Sequence, residues 1–228
     1  MIFQYGERET DYLKRRDKKL GAVIDRVGHI ERAVDPDLFS AVVHHIVGQQ
    51  VSMRAQAAIW ARMQTALGTV SAETVAAAGP EALRPLGMSL RKAQYIADFA
   101  MRVCRGDFDI EAVRAMDDAQ AISILSTIKG VGVWTAEMIL LFCLQRPNVF
   151  SYGDLAIRRG LRMIYRHREI DRARFERYRR RFSPYGSVAS FYIWAAACGE
   201  VEGLTDPAPE NRLRSGATNR RQSVPARI

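Results

Sequence analysis

The stretch IKGVGVWTAEM, residues 128–138, decides how the rest of this chain is read. Gly130 and Gly132 stand between apolar segments whose hydrophobic residues recur every three or four positions, the period of a helix. Two helices joined by so short a turn make a hairpin. Glycine there lets the backbone come close to another surface, and the free amides of the turn and of the next helix start form a concave anion site, favoured by the helix dipole. GVG also serves as a plain interhelical turn, so the surrounding sequence has to decide.

Outward from the hairpin, helical periodicity continues almost everywhere and strand signals are sparse, which predicts an all-α protein. A first helix is expected within Asp11 to Val27. Asp35-Pro36 reads as a cap and first-turn proline for a helix through Phe39, Val42, Val43 and Ile46 that ends at Gly48. Ser52, Ser71 and Ser89 read as caps of the next three helices, with Gly79-Pro80 closing the second of them. Short helices follow from Asp109 and from Asp117 or Asp118 to about Thr127. Val133 to Gln145 is apolar nearly all round and reads as a buried helix. Residues 146–153, RPNVFSYG, break the pattern before a helix starting near Asp154. The basic stretch RARFERYRRRF follows, and a last helix carries Val188, Phe191, Trp194 and Ala195. From about Leu204 the composition turns polar, a tail with little to bury and expected to be mobile.

Composition narrows the partners. The chain has 228 residues, 48% of them hydrophobic, and a net charge of +9, with a pI near 9.8. That balance favours a polyanion, nucleic acid ahead of an acidic membrane. Cys104, Cys143 and Cys198 lie far apart, which suits a reducing cytoplasm better than a disulfide framework. No apolar run approaches the roughly 18 residues of a membrane span, and the start lacks a signal peptide's apolar core. A cytoplasmic monomer, associated with the nucleoid if the source is bacterial, is the expectation.

The longer pattern Leu125, Ile128, Lys129-Gly130-Val131-Gly132, Trp134-Thr135-Ala136 resembles the helix-hairpin-helix of the base-excision DNA glycosylases. In that superfamily a Gly/Pro-rich loop and an aspartate follow, here Pro147 to Gly153 and Asp154 in SYGDLAIRRG. IVGQQVS from Ile46, GMSLRKAQYI from Gly87 and FSPYGSVASFYIW ending at Trp194 resemble the 3-methyladenine DNA glycosylase II branch in consistent order from Leu38 to Ala197. Two positions depart from it. Lys129 stands where proline is frequent, and Gly186 where arginine is frequent. The extra N-terminal sheet domain of some relatives has no room before residue 38.

The resemblance implies two helical lobes flanking a cleft for DNA and a flipped base: residues 38–112 in one, 1–37 with 113–203 in the other, and the tail at 204–228. It implies double-stranded DNA with damaged bases as substrate, and a monofunctional glycosylase that hydrolyses the bond between an alkylated base and its sugar. Asp154 would stabilise the oxocarbenium-like sugar, its own charge favoured at a helix start; local sequence alone makes it a simple cap. Trp134 occupies the position where backbone-cutting relatives carry a Schiff-base lysine, so no lyase step is expected. Trp134, Met138, Tyr185 and Trp194 would line the base pocket, since an aromatic face attracts a cationic alkylpurine by about 1–2 kcal/mol. Gln50 takes the place of the wedge that fills the gap in the duplex, with Gln49 supporting its loop. Lys129, Gly130, Gly132 and Ser52 would meet phosphates, Ser52 also as a cap. Arg158 and Arg159 are candidates for the same task, whereas Arg172 to Arg181 reads as a solvated face.

No organic cofactor is implied. One cysteine near the C-terminal end, Cys198, does not make an iron–sulfur site, and His44-His45 cannot aim both rings at one ion from a single helix. By resemblance, the carbonyls of Ser126, Ile128 and Gly130 hold a monovalent cation. Two rivals stand beside this reading. One is a helix-hairpin-helix protein that only binds DNA, and the other is a monofunctional glycosylase for another lesion, such as a deaminated purine.

Overall fold

The computed structural model describes residues 1–207. From residue 208 onward, the tail expected to be mobile lies outside the described residues. Twelve α-helices account for nearly all the regular structure: α1 Glu7–Arg16, α2 Lys18–Val27, α3 Leu38–Gly48, α4 Met53–Leu67, α5 Ala72–Leu83, α6 Leu90–Cys104, α7 Ile110–Ala115, α8 Asp118–Leu125, α9 Val133–Phe142, α10 Leu155–Tyr165, α11 Arg172–Phe182 and α12 Gly186–Cys198. Among the described residues the one extended pairing is an isolated bridge between Ile2 and Ala33. Among the described residues no helix is long and apolar enough to cross a membrane.

Local chemistry explains most boundaries. Ser52, Ser71, Ser89, Asp109, Asp117, Asp154 and Asp171 each accept a backbone N–H of the first turn they precede, worth about 1 kcal/mol apiece. Gly79 is non-helical at φ 68°, which kinks α5 where Gly79-Pro80 was expected to close it.

Three boundaries differ from expectation. The first helix is two, because Asp17 takes the N–H groups of Lys19 and Leu20 and starts α2; Arg181, 2.7 Å from its other oxygen, compensates its burial. Asp37, not Asp35, caps α3; Asp35 instead accepts the Asp37 N–H and the Ser40 hydroxyl. Helix α9 stops at Phe142 rather than Gln145, with the Phe142 carbonyl taken by the Asp35 N–H.

The helices form two compact units, Val34–Leu144 with Met1, and Ile2–Ala33 with the chain from Gln145 onward. The division at 144 differs from the expected one at 112, because α7 leads into α8, α8 packs on α9, and α9 packs on α3 inside the first unit. There α3 buries Val42, Val43, Ile46 and Val47 completely, and Phe39 stacks on Phe99 of α6 at 5.2 Å. In the second unit α12 is buried on all sides from Gly186 to Ala197, with α2 and α10 laid against it.

Gly160 sets how closely α10 lies on α12. A Cβ built there meets the Ile193 carbonyl oxygen at 2.2 Å, and backbone in a packed helix pair cannot yield cheaply. We expect Gly160→Ala to cost about 1–3 kcal/mol by overpacking, read as a Tm several degrees lower. An unchanged melting curve would show that the two helices are not held in contact here.

Candidate active site

The second unit builds a buried carboxylate. Asp154 ends the RPNVFSYG loop, and that loop is laced to the start of α12: Ser187 Oγ accepts the Val149 N–H at 2.9 Å and donates to the Arg146 carbonyl at 2.5 Å. Ser190 Oγ donates to the Val149 carbonyl at 3.1 Å. Between these ties Phe150 stacks on Phe175 at 4.8 Å and meets Phe182 edge-on at 5.5 Å. The loop therefore delivers Asp154 to a set place at the head of α10.

Asp154 is only 7% exposed. Its Oδ1 accepts the Ile157 N–H at 2.8 Å, the capping bond, and also the Trp194 indole N–H at 3.2 Å. Buried charge is costly unless hydrogen-bonded, and these two donors together with the helix dipole supply that compensation. Trp194, expected as a pocket wall, thus spends its polar edge on the carboxylate. Gly186, the departure from the family pattern, is closely approached from outside: a Cβ there meets Asn148 Oδ1 at 3.0 Å and Phe150 Cβ at 3.3 Å, so a side chain at this position needs the loop that carries Asp154 to give by a few tenths of an ångström. Tyr185 is half-buried and lies edge-on to Tyr12 at 5.1 Å.

The first unit holds the hairpin and the Gln49-Gln50 loop together. Gln49 Nε2 donates to the Gly130 carbonyl at 2.6 Å. Lys92 Nζ donates to the carbonyls of Val47 and Gln49 at 2.9 and 2.5 Å, closing the end of α3; burial lowers its pKa. Farther along α6, Tyr95 packs against Gly130, Asp98 pairs with Lys129 at 3.4 Å, and Arg102 binds the Thr127 carbonyl at 3.2 Å. Positions 92, 95, 98 and 102 share one side of α6, so a single helix braces both loops. Sequence reading missed Lys92 and Tyr95, whose only signal is that three- to four-residue spacing.

The expected contact residues differ in how they are presented. Gly130 needs to be glycine twice over, with φ 87° and the Tyr95 ring only 2.7 Å from where a Cβ would be. Gly132 has ordinary φ and open space around its Cβ position, so its smallness serves the exposed side of the turn. Gln50 is exposed in a left-handed conformation, φ 56°, costing about 1–2 kcal/mol for a residue with a Cβ. Trp134, 44% exposed, and buried Met138 lie one turn apart on α9. Ser52 Oγ caps α4, accepting the Ala55 N–H at 3.2 Å.

For the implied cation, the Ile128 carbonyl already accepts the Val131 N–H and the Gly130 carbonyl accepts Gln49, each keeping a second lone pair. Ser126 Oγ is buried without a partner beside them. This neutral, all-oxygen set fits a monovalent ion in ligand type. Among the described residues no group of three His, Cys, Asp or Glu is placed to hold a metal. Burial lowers the His44 and His45 pKa values, His45 to about 4, leaving both rings neutral.

Comparison with known proteins identifies the family and the fold. The family model of the HhH-GPD superfamily base excision DNA repair proteins matches residues 43–184. The chain belongs to that superfamily, and several of its relatives are named DNA-3-methyladenine glycosylases. The crystal structure of a DNA-3-methyladenine glycosidase from Bacillus halodurans is 32% identical with a TM-score of 0.76, covering 86% of this chain and 92% of that one. DNA-3-methyladenine glycosylase 2 of Escherichia coli is 30% identical over 169 residues, 69% of this chain and 57% of that protein. In fold, the chain is also similar to the Schizosaccharomyces pombe 3-methyladenine DNA glycosylase in complex with abasic DNA, with a TM-score of 0.75 at 23% identity over 87% and 99% of the two chains.

The brace on α6 is testable without DNA. Lys92→Met removes two charge-assisted bonds and should cost about 1.5–3 kcal/mol, with faster amide exchange at Gln50 and Val51. Unchanged exchange there would mean the loop holds its shape without α6.

Proposed function

We propose that this chain is a monofunctional glycosylase that hydrolyses the N-glycosidic bond of flipped alkylated bases, the 3-methyladenine and 7-methylguanine class, in duplex DNA, acting as a monomer. The observation that carries the reading is the Asp154 carboxylate, buried yet hydrogen-bonded through Oδ1 to Ile157 and Trp194. Besides the backbone N–H that it caps, Asp154 takes the indole N–H of a residue forty positions away, which fixes the orientation of the carboxylate.

The chemistry follows from that orientation. The cationic base leaves with the electron pair of the broken bond and departs neutral, while positive charge develops on the sugar. Asp154 stabilises this oxocarbenium-like centre from a place already fixed, without reorganising during the reaction. Water adds to the sugar carbon and its proton passes to the carboxylate or to solvent. Trp134 and Met138 on the first unit, and Tyr185 and Trp194 on the second, are each assigned to recognition of the base, the π face of Trp134 attracting its positive charge. Gln50 fills the gap in the duplex, and the amides of Gly130 and Gly132, with Lys129 and Ser52, hold the backbone. A monovalent ion on the carbonyls of Ser126, Ile128 and Gly130 would add positive charge toward a phosphate.

Chromatography of bases released from alkylated and deaminated duplexes tests the reading: methylated purines should appear. Asp154→Asn should slow their release on the order of 100-fold or more, the loss of one preorganised stabiliser. Undiminished release by that variant would remove Asp154 from the mechanism, and no release by the wild type across the panel would favour a DNA-binding role alone.

Trp134 cannot form a Schiff base. Borohydride added during turnover should therefore trap no covalent protein–DNA adduct. A trapped adduct would overturn the monofunctional assignment.

A further inference from the structure

The second unit carries a cluster of cations that the chemistry at Asp154 does not use. Arg158 lies four residues after Asp154 on α10, and its guanidinium carbon is 5.1 Å from the centre of the Tyr152 ring. Arg172, the first residue of α11, sits 5.0 Å from the centre of the same ring. Tyr152 is itself held edge-on to Phe175 at 5.2 Å. One aromatic ring thus orders two guanidinium groups that are distant in sequence.

Charge at this place is not balanced. Glu176 pairs with two arginines of α11: Arg172 Nε is 2.9 Å from one of its oxygens and Arg179 Nε is 2.6 Å from the other. Asp171 is occupied as the cap of α11 through the Arg174 N–H. Among the described residues no carboxylate pairs with Arg158, and its Nε is buried with no hydrogen-bond partner. Two arginines thus share one glutamate, and Arg158 beside them adds a third positive charge. Mutual repulsion disfavours such an arrangement in isolation, while stacking on Tyr152 removes much of the entropy cost of holding the guanidinium groups ready. A planar guanidinium donates two parallel N–H groups, the geometry that matches a phosphate.

We propose that Arg158 and Arg172, ordered on Tyr152, form a phosphate clamp for the backbone of duplex DNA, separate from the hairpin. Tyr152 precedes Asp154 by two residues, so the clamp would grip the strand beside the nucleotide presented to the carboxylate. It also divides the basic run of α11: Arg172 lies over Tyr152 while its Nε pairs with Glu176, whereas Arg179 pairs with Glu176 alone and Arg181 with Asp17. Its ligand is the phosphodiester itself, so it carries no base preference.

The test is binding of the whole chain to undamaged duplexes of two unrelated sequences by fluorescence anisotropy over a range of salt. Each lost phosphate contact lowers the slope of log affinity against log salt by about 0.9. We expect Arg158→Ala and Arg172→Gln each to lower the slope by about 1 and to weaken binding by about tenfold at low salt, equally for both sequences. Arg172→Lys should keep the slope but not the full affinity, because ammonium keeps charge without the planar stack. Arg172 is exposed at the start of its helix, so its variants keep the test valid if Arg158→Ala destabilises the fold. Wild-type slopes in Arg172→Gln and in any folded Arg158 variant would overturn the clamp and leave stacking on Tyr152 as packing alone. Binding to undamaged DNA requires no base release, so the clamp and the glycosylase reading fail independently.

Discussion

A carboxylate removed from water at the head of α10 is the constraint around which the second unit is organised. Burying Asp154 uncompensated would cost several kcal/mol, comparable to the whole stability margin of a domain. Two N–H donors and a helix start meet that cost, and each has its own prerequisite. The Ile157 amide needs α10 to begin just after residue 154. The Trp194 indole needs α12 to lie close to α10, and Gly160 permits that approach against the Ile193 carbonyl. Ser187 and Ser190 hold the preceding loop so that the carboxylate arrives in register.

The first unit solves a different problem, presenting two exposed loops without letting them drift. Its means is α6, which reaches the end of α3 through Lys92 and the hairpin through Tyr95, Asp98 and Arg102. Gln49 then joins loop to loop. The contribution of these bonds differs by burial. The exposed Lys129–Asp98 pair adds little to stability, whereas the Lys92 and Gln49 bonds fix backbone carbonyls that water no longer fully reaches. The left-handed backbone of Gln50 is sustained by this bracing, as strained residues persist only where their surroundings over-determine them.

Much of the helical architecture was legible because a cap is a local device. Ser52, Ser71, Ser89 and Asp109 act within three residues of themselves, and the glycines of the hairpin announce its turn. The failures were of another kind. Nothing local separates Asp17 inside RRDKK from a solvent-facing residue of one long helix; Arg181, far along the chain, makes its burial tolerable. Asp35 and Asp37 are equally plausible caps, and the contest is decided by Ser40 and by the Phe142 carbonyl. The unit boundary moved from 112 to 144 because packing of α8 and α9, rather than a break in composition, draws it.

By itself the sequence determined the helical class, the hairpin, the basic character and the pattern of residues shared with the glycosylases, since all of these are written in periodicity, glycine placement, charge and motif order. Tertiary structure alone decided which partners those residues meet. Trp194 is forty residues from the aspartate it orients, Lys92 over forty from the carbonyls it closes, and Arg172 twenty from the tyrosine it shares with Arg158. Helical period places a side chain on a face, but only the packing of one helix on another brings two faces together, and the chemistry of this protein lies in those meetings.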